Sequence, residues 1–295
     1  MSTSLVDAVA ILRAGGLVAF PTETVYGLGA DASKPLAVRQ IFARKGRPAD
    51  HPLIVHLARL GQIEDWAVMS PVARALAEAF WPGPLTLVLP RRPTVHDEVT
   101  GGLETVGIRI PSHPVAAALL SAFGGGVAAP SANRFGRVSP TTAAHVRAEF
   151  GEAVPVLDGG PCSVGVESTI IDLSGPPALL RPGGISIEAI EAISGPLTTS
   201  DTRAPGTLAS HYAPRTALLL STTPEEDATR LRSEGRTVAI LLAGEPADHA
   251  RRLYAELRRL DLLGVDILIA ERSEASGLGH AINDRLSRAA AARTH

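Results

Sequence analysis

The chain is poor in cysteine: Cys162 is the only one in 295 residues. That excludes a disulfide framework and a cysteine-ligated zinc site, and it fits a reducing compartment. Long apolar runs are missing too. Nothing approaches the roughly 18 residues of a membrane span, and the first residues lack the basic-then-apolar order of a signal peptide. The expected location is the cytoplasm, with no membrane association. Nor is there a bias to one charge. A formal net charge of -2 excludes a uniformly basic nucleic-acid coat, so any anion binding must come from a local cluster. Among 28 basic residues only Lys34 and Lys45 are lysine, so single arginines carry little information.

What is present is an ordinary globular composition, 45% hydrophobic and 20% charged, long enough for two domains. The most informative stretch runs from Phe20 to Ala32, FPTETVYGLGADA. Leu17 to Phe20 predicts a buried strand that stops at Pro21, which cannot donate to a sheet ladder. After it, Gly27 and Gly29 read as loop glycines that permit unusual backbone, Ser33 as a helix cap, and Pro35 as a first-turn proline. Polar side chains are thus delivered at the carboxyl end of a strand facing a helix start, where open α/β sheets bind anionic ligands. Gly27 to Ala32 also fits a loose dinucleotide fingerprint. Pro35 delays the helix, however, and Asp50 sits in a Pro/Gly-rich loop where a ribose-binding acid is not expected. A purely structural loop is the other alternative.

Ser4 to Asp7 starts a first helix that places Leu5, Val9 and Leu12 on one face. Arg44-Lys45-Gly46-Arg47 follows a second helix and precedes Pro48 and Pro52; it reads either as a solvated helix end or as a phosphate cradle. Strands are expected over 53–57 and 85–89, with a helix over 71–80 between them. The strand 105–111 puts Thr105, Gly107 and Arg109 on one face, and Arg109 reads either as half of an internal salt bridge or as a fork for a carboxylate. Val127 to Ala129 is strand-like and leads into Pro130-Ser131-Ala132-Asn133. A helix starts from Ser139 to Thr142 and runs through Phe150, and 168–173 with 178–183 forms a hairpin. Gly160-Pro161-Cys162-Ser163 is not a nucleophile elbow, and His51 with His56 lacks metal-ligand spacing; no metal site is expected. The organisation is residues 1–194 as a first domain, 195–214 as a linker ending in His211-Tyr212-Ala213-Pro214, and 215–295 as a small parallel αβ domain with alternating strands and helices.

Taken in order, PTETVYGLGADA, KGRPADHPLIVHL, WPGPLTLVL, TVGIRIP, APSAN, ESTIIDL, LLRPG and HYAP resemble the YrdC-like threonylcarbamoyl-AMP synthases, in their longer two-domain form. The resemblance implies an α/β fold: a YrdC-like twisted open sheet with flanking helices, plus a small Rossmann-like αβα C-terminal domain. It implies conversion of L-threonine, bicarbonate and ATP, with Mg2+, to L-threonylcarbamoyl-adenylate and pyrophosphate. A separate transferase would then use the product on tRNA. By likeness, Thr24, His56, Arg109, the Ala129 backbone and Ser168 would hold threonine. Lys45, Arg47, His51, Thr105, Ser131, Asn133, Ser139 and Arg181 would hold ATP, with Lys45 and Arg47 offsetting charge in the reaction, and His211 and Tyr212 would belong to a lid. The family commonly carries asparagine where this chain has His51, and serine and methionine at the ends of the 204–207 segment. Two rivals are an RNA-binding protein without catalysis, built on Arg44, Lys45, Arg47, Arg134 and Arg137, and a carbamoyl transferase of the hydrogenase-maturation kind. The single cysteine speaks against the zinc-finger segment of the latter. Weak RNA binding is compatible with the synthase reading as well.

Overall fold

The computed structural model describes residues 3–200, 202–206 and 211–291. Within them, α1 (Leu5–Arg13), β1 (Val18–Phe20), β2 (Gly27–Asp31), α2 (Pro35–Lys45), β3 (Ile54–His56), α3 (Pro71–Phe80), β4 (Leu85–Pro90), α4 (Asp97–Thr100), β5 (Thr105–Arg109), α5 (Pro114–Phe123), β6 (Val127–Ala128), α6 (Ala143–Phe150), β7 (Thr169–Asp172), β8 (Ala178–Arg181) and α7 (Ile187–Ser194) come first. Then follow β9 (Ala217–Ser221), α8 (Pro224–Ser233), β10 (Val238–Leu241), α9 (Pro246–Asp261), β11 (Ile267–Glu271) and α10 (Leu278–Ala290).

The first eight strands form one mixed sheet in the order β1-β2-β6-β3-β5-β4-β7-β8. The pairs β3/β5 and β4/β7 are parallel; the rest are antiparallel. Strand alternation sends Val18 and Phe20 to one face, with α1 and α5, and Leu17 and Ala19 to the other, with α2 and α3. Ser4 caps α1 as its sequence suggests, its hydroxyl accepting from the Asp7 N–H at 3.1 Å.

Two expectations need correcting. Gly27 to Asp31 is strand β2, paired antiparallel with β1, and not a loop. Its glycines are required for space rather than for unusual torsions: a Cβ at Gly29 would lie 2.8 Å from both Phe20 Cε1 and Val127 Cγ1. Ser33 does not cap α2 either, because its hydroxyl is spent on Asp31 at 2.6 Å; Lys34 occupies the cap position, while Pro35 does stand in the first turn.

The last three strands form a parallel sheet in the order β10-β11-β9. Helix α8 packs on one face, against Ile269, and α9 and α10 on the other. This second unit is welded to the first: Val25, Val138, Val166 and Tyr212 share one apolar cluster with Leu253, Tyr254, Leu257, Ile282 and Leu286.

Candidate active site

The cavity lies where several strand ends meet. Strands β3 and β5 run parallel, and His56 and Arg109 are register partners at their carboxyl ends. The β1–β2 connection adds Thr22 and Thr24, the turn after α2 adds Arg47, the chain after β6 adds Ala129 and Ser131, and the hairpin adds Ser168 and Arg181. Pro205, Gly206, His211 and Tyr212 of the linker complete the wall. The space between these walls amounts to about 530 Å³, part of it open to solvent.

Arg109 is half of an internal salt bridge, and it lines the cavity. Its Nη1 donates to Thr24 Oγ1 at 2.9 Å, and its Nη2 lies 2.8 Å from Glu23 Oε1, an ion contact rather than an aligned hydrogen bond. Thr24 is held in turn by Thr22, whose hydroxyl donates to the Val25 carbonyl at 2.6 Å. Arg47 is buried, donates through Nη2 to the Pro52 carbonyl at 3.0 Å, and leaves Nε without a partner among the described residues. Burial pulls its pKa down to about 10, so it stays a cation at neutral pH. Arg181 is fastened by donating to the Ser168 carbonyl at 2.9 Å and to the Pro205 carbonyl at 2.8 Å. Burial lowers both His56 and His211 to about 3, which keeps these rings neutral at pH 7.

Several predicted residues stand elsewhere. Lys45 is buried behind the cavity wall and does not line it, donating its ammonium to the carbonyls of Ser131, which does, and Asn133. It braces the 131–133 loop, and burial, with Arg47 nearby, lowers its pKa well below the usual lysine range. Asn133 donates to the Arg134 and Arg137 carbonyls. Ser139 donates to Glu167 at 2.6 Å from behind the wall. Thr105 lines a smaller adjoining cavity with Arg203, on the far side of Pro205. His51 sits edge-on to Phe135 at 5.5 Å, and Phe135 sits edge-on to His211 at 5.9 Å. The supposed cationic concavity is not one surface. Lys45 and Arg47 are buried apart from it, while Arg134 lines both a groove with Arg44 and a second groove with Arg137 and Arg258.

Sequence reasoning missed Glu23 and Glu167, although both stand inside the motifs PTET and ESTIIDL. Glu167 lines the cavity. Burial alone would raise its carboxyl, but the charges of Arg285 and Arg181 and the hydrogen bonds from Arg285 and Ser139 hold it at about 2. Among the described residues no group of three or more His, Cys, Asp or Glu gathers as a metal site, and no helix is long and apolar enough to cross a membrane.

A site of three guanidinium groups, several hydroxyls and two neutral imidazoles is suited to bind anions side by side and holds no activated nucleophile among the described residues. Residues 10–183 match the Sua5/YciO/YrdC family, described as telomere recombination, and residues 185–291 match the threonylcarbamoyl-AMP synthase C-terminal domain. The threonylcarbamoyl-AMP synthase of Pyrococcus abyssi is 43% identical over 97% of this chain and 94% of its own. That of Bacillus subtilis is 43% identical over 98% of this chain and 93% of its own. The crystal structure of P. abyssi Sua5 complexed with L-threonine superposes with a TM-score of 0.92 at 42% identity, covering 97% of this chain and 94% of that one. The chain therefore belongs to the Sua5/YciO/YrdC family, in the two-domain form of its threonylcarbamoyl-AMP synthase relatives.

Proposed function

We propose that this protein is an L-threonylcarbamoyladenylate synthase: it joins L-threonine, bicarbonate and ATP into L-threonylcarbamoyl-adenylate, releasing pyrophosphate. The observation that carries the reading is the convergence of Arg109, Arg47 and Arg181, from three separate elements, on one cavity rich in hydroxyls. In the reaction the threonine amine takes up carbon dioxide from bicarbonate with loss of water, giving a carbamate. A carbamate oxygen then attacks the α-phosphorus, and the bond to pyrophosphate breaks. Such a displacement depends on placement and charge neutralisation rather than on a covalent intermediate.

Arg109, steadied by Thr24 and Glu23, is placed to fork a threonine carboxylate, with His56, Ala129 and Ser168 around it. Arg47 and Arg181 offset phosphate charge, helped by Ser131. Lys45, Asn133 and Ser139 act by shaping the wall. ATP enters as its magnesium complex, and Thr105 and His51 border the approach. The linker around Pro205 and His211 excludes water from a carbamate that readily loses carbon dioxide. The product is consumed by a separate transferase that modifies tRNA to N6-threonylcarbamoyladenosine in the cytoplasm. Weak RNA contact would fall on the Arg134, Arg137 and Arg258 groove and would fade steeply with salt.

The test is pyrophosphate release from ATP by the purified chain. Release should require both threonine and bicarbonate; turnover indifferent to threonine would overturn the proposal.

A further inference from the structure

Glu167 is a cavity residue whose charge is answered from the second domain. Its Oε2 accepts from Tyr254 at 2.7 Å and from Arg285 Nε at 2.8 Å, while Oε1 accepts from Ser139. Arg285 on α10 is fully buried and is kept in line by Asp284 at 2.6 Å. The same guanidinium lies over the Tyr212 ring, 5.2 Å from its centroid, and Tyr254 stacks on Tyr212 from 5.8 Å. Tyr212 has a left-handed φ of 60°, a conformation a bulky residue adopts only where its surroundings hold it. Its hydroxyl abuts Gly206, where an added Cβ would fall 2.0 Å from Tyr212 Oη and 3.0 Å from Arg181 Nη1. A chain of contacts therefore runs from α10 through Tyr212 to the Pro205–Gly206 turn on the cavity wall.

We propose that Arg285 is a positioning residue for the reaction: the second domain uses it to neutralise Glu167 beside the nucleotide and to seat Tyr212 behind the Pro205–Gly206 turn. It touches no reacting atom and lies outside the cavity. Without it, Glu167 would face the triphosphate with Arg181 as its remaining counter-charge, and the Pro205–Gly206 turn would lose its backing. This deepens the synthase reading and rests on it for the kinetic readout.

The experiment compares Arg285→Met, Arg285→Lys and Arg285→Met/Glu167→Gln with the unaltered full-length chain. Arg285→Met should raise KM for ATP about tenfold or more, the effect of losing one charged hydrogen bond, with KM for threonine changed less than about twofold. Glu167→Gln in the same chain should restore most of the ATP affinity, and Arg285→Lys part of it. Amide exchange at His211 and Ala213, whose N–H groups donate to the Arg288 and Gly136 carbonyls, should quicken in Arg285→Met while exchange in β4 and β5 stays as it was. Equal changes in both KM values, or no rescue by Glu167→Gln, would overturn the proposal. If Arg285→Met fails to fold, Tyr254→Phe, which removes only the hydroxyl on Glu167, should shift KM for ATP and exchange at His211 in the same directions; a folded Tyr254→Phe with neither shift also overturns it. If the unaltered chain shows no threonine-dependent turnover, the synthase reading fails by itself. Affinity for a non-hydrolysable ATP analogue and amide exchange then still decide whether Arg285 couples the second domain to the cavity.

Discussion

The Arg109 guanidinium stands 2.8 Å from the Glu23 carboxylate, with each side chain only 5% exposed. Removing one partner of such a buried pair leaves a lone charge and costs about 3–5 kcal/mol, whereas replacing both with apolar groups is often neutral. Arg109→Met should therefore destabilise the chain by that amount, and Arg109→Met/Glu23→Leu should recover most of it in urea unfolding. Simple summing of the two single effects would show that the pair is not coupled. In the assay, Arg109→Ala should need at least about tenfold more threonine for half-maximal pyrophosphate release, with ATP-analogue binding retained.

Lys45 and Arg47 sit two residues apart and should fail differently. Lys45→Met frees two carbonyls of the 131–133 loop, so melting temperature and activity should fall together, with about 1–3 kcal/mol of stability lost. Arg47→Lys keeps the charge but loses the fork facing the cavity. Its nucleotide affinity should drop by about tenfold while thermal unfolding moves little. Matching profiles for the two variants would contradict the different orientations of their side chains.

Acid should unfold this protein before its carboxylates are protonated. His56 and His211 titrate near 3 when folded, because burial disfavours the charged ring, against an ordinary 6.5. The unfolded chain therefore binds more protons between those values, and stability rises with pH across that window. On lowering the pH from 7 to 5, each ring should withdraw about 2 kcal/mol. Glu167, held near 2, works in a lower window: its contribution is present above about 4.5 and disappears as pH falls toward 2. Urea midpoints measured from pH 8 to 4 should fall below pH 6.5, and less so in His211→Gln. An unchanged slope in that variant would refute the assignment of the acid loss to this ring.

Gly29 should tolerate no side chain. Gly29→Ala places a methyl against Phe20 and Val127, so about 1–3 kcal/mol should be lost to overpacking. Adding Val127→Ala should return part of it, readable as a rise in melting temperature. No loss on Gly29→Ala would show that the sheet can spread there.

Periodicity and punctuation made most elements legible. Pro35 and Pro71 open helices, Ser4 caps α1, and the alternation in 105–109 put Thr105, Gly107 and Arg109 on one face of β5, the face that the structure turns to the cavities. Two glycines two residues apart were misread, because a sequence does not say whether glycine answers a torsion or a missing Cβ. The residues of the cavity wall were partly legible from motif order, and there too proximity along the chain misled. Lys45 and Arg47 are two apart, yet the reversal at Gly46, with φ 64°, sends one into the 131–133 loop and the other into the cavity.

The chain by itself determined the class of chemistry: cations, hydroxyls and no nucleophile are properties of composition and motif. Only the tertiary structure decided which charges meet. Glu23 reaches Arg109 across 86 positions, and Glu167 reaches Arg285 across 118. Electrostatic pairing depends on distance in space and on burial, and neither is encoded at any single position of the sequence.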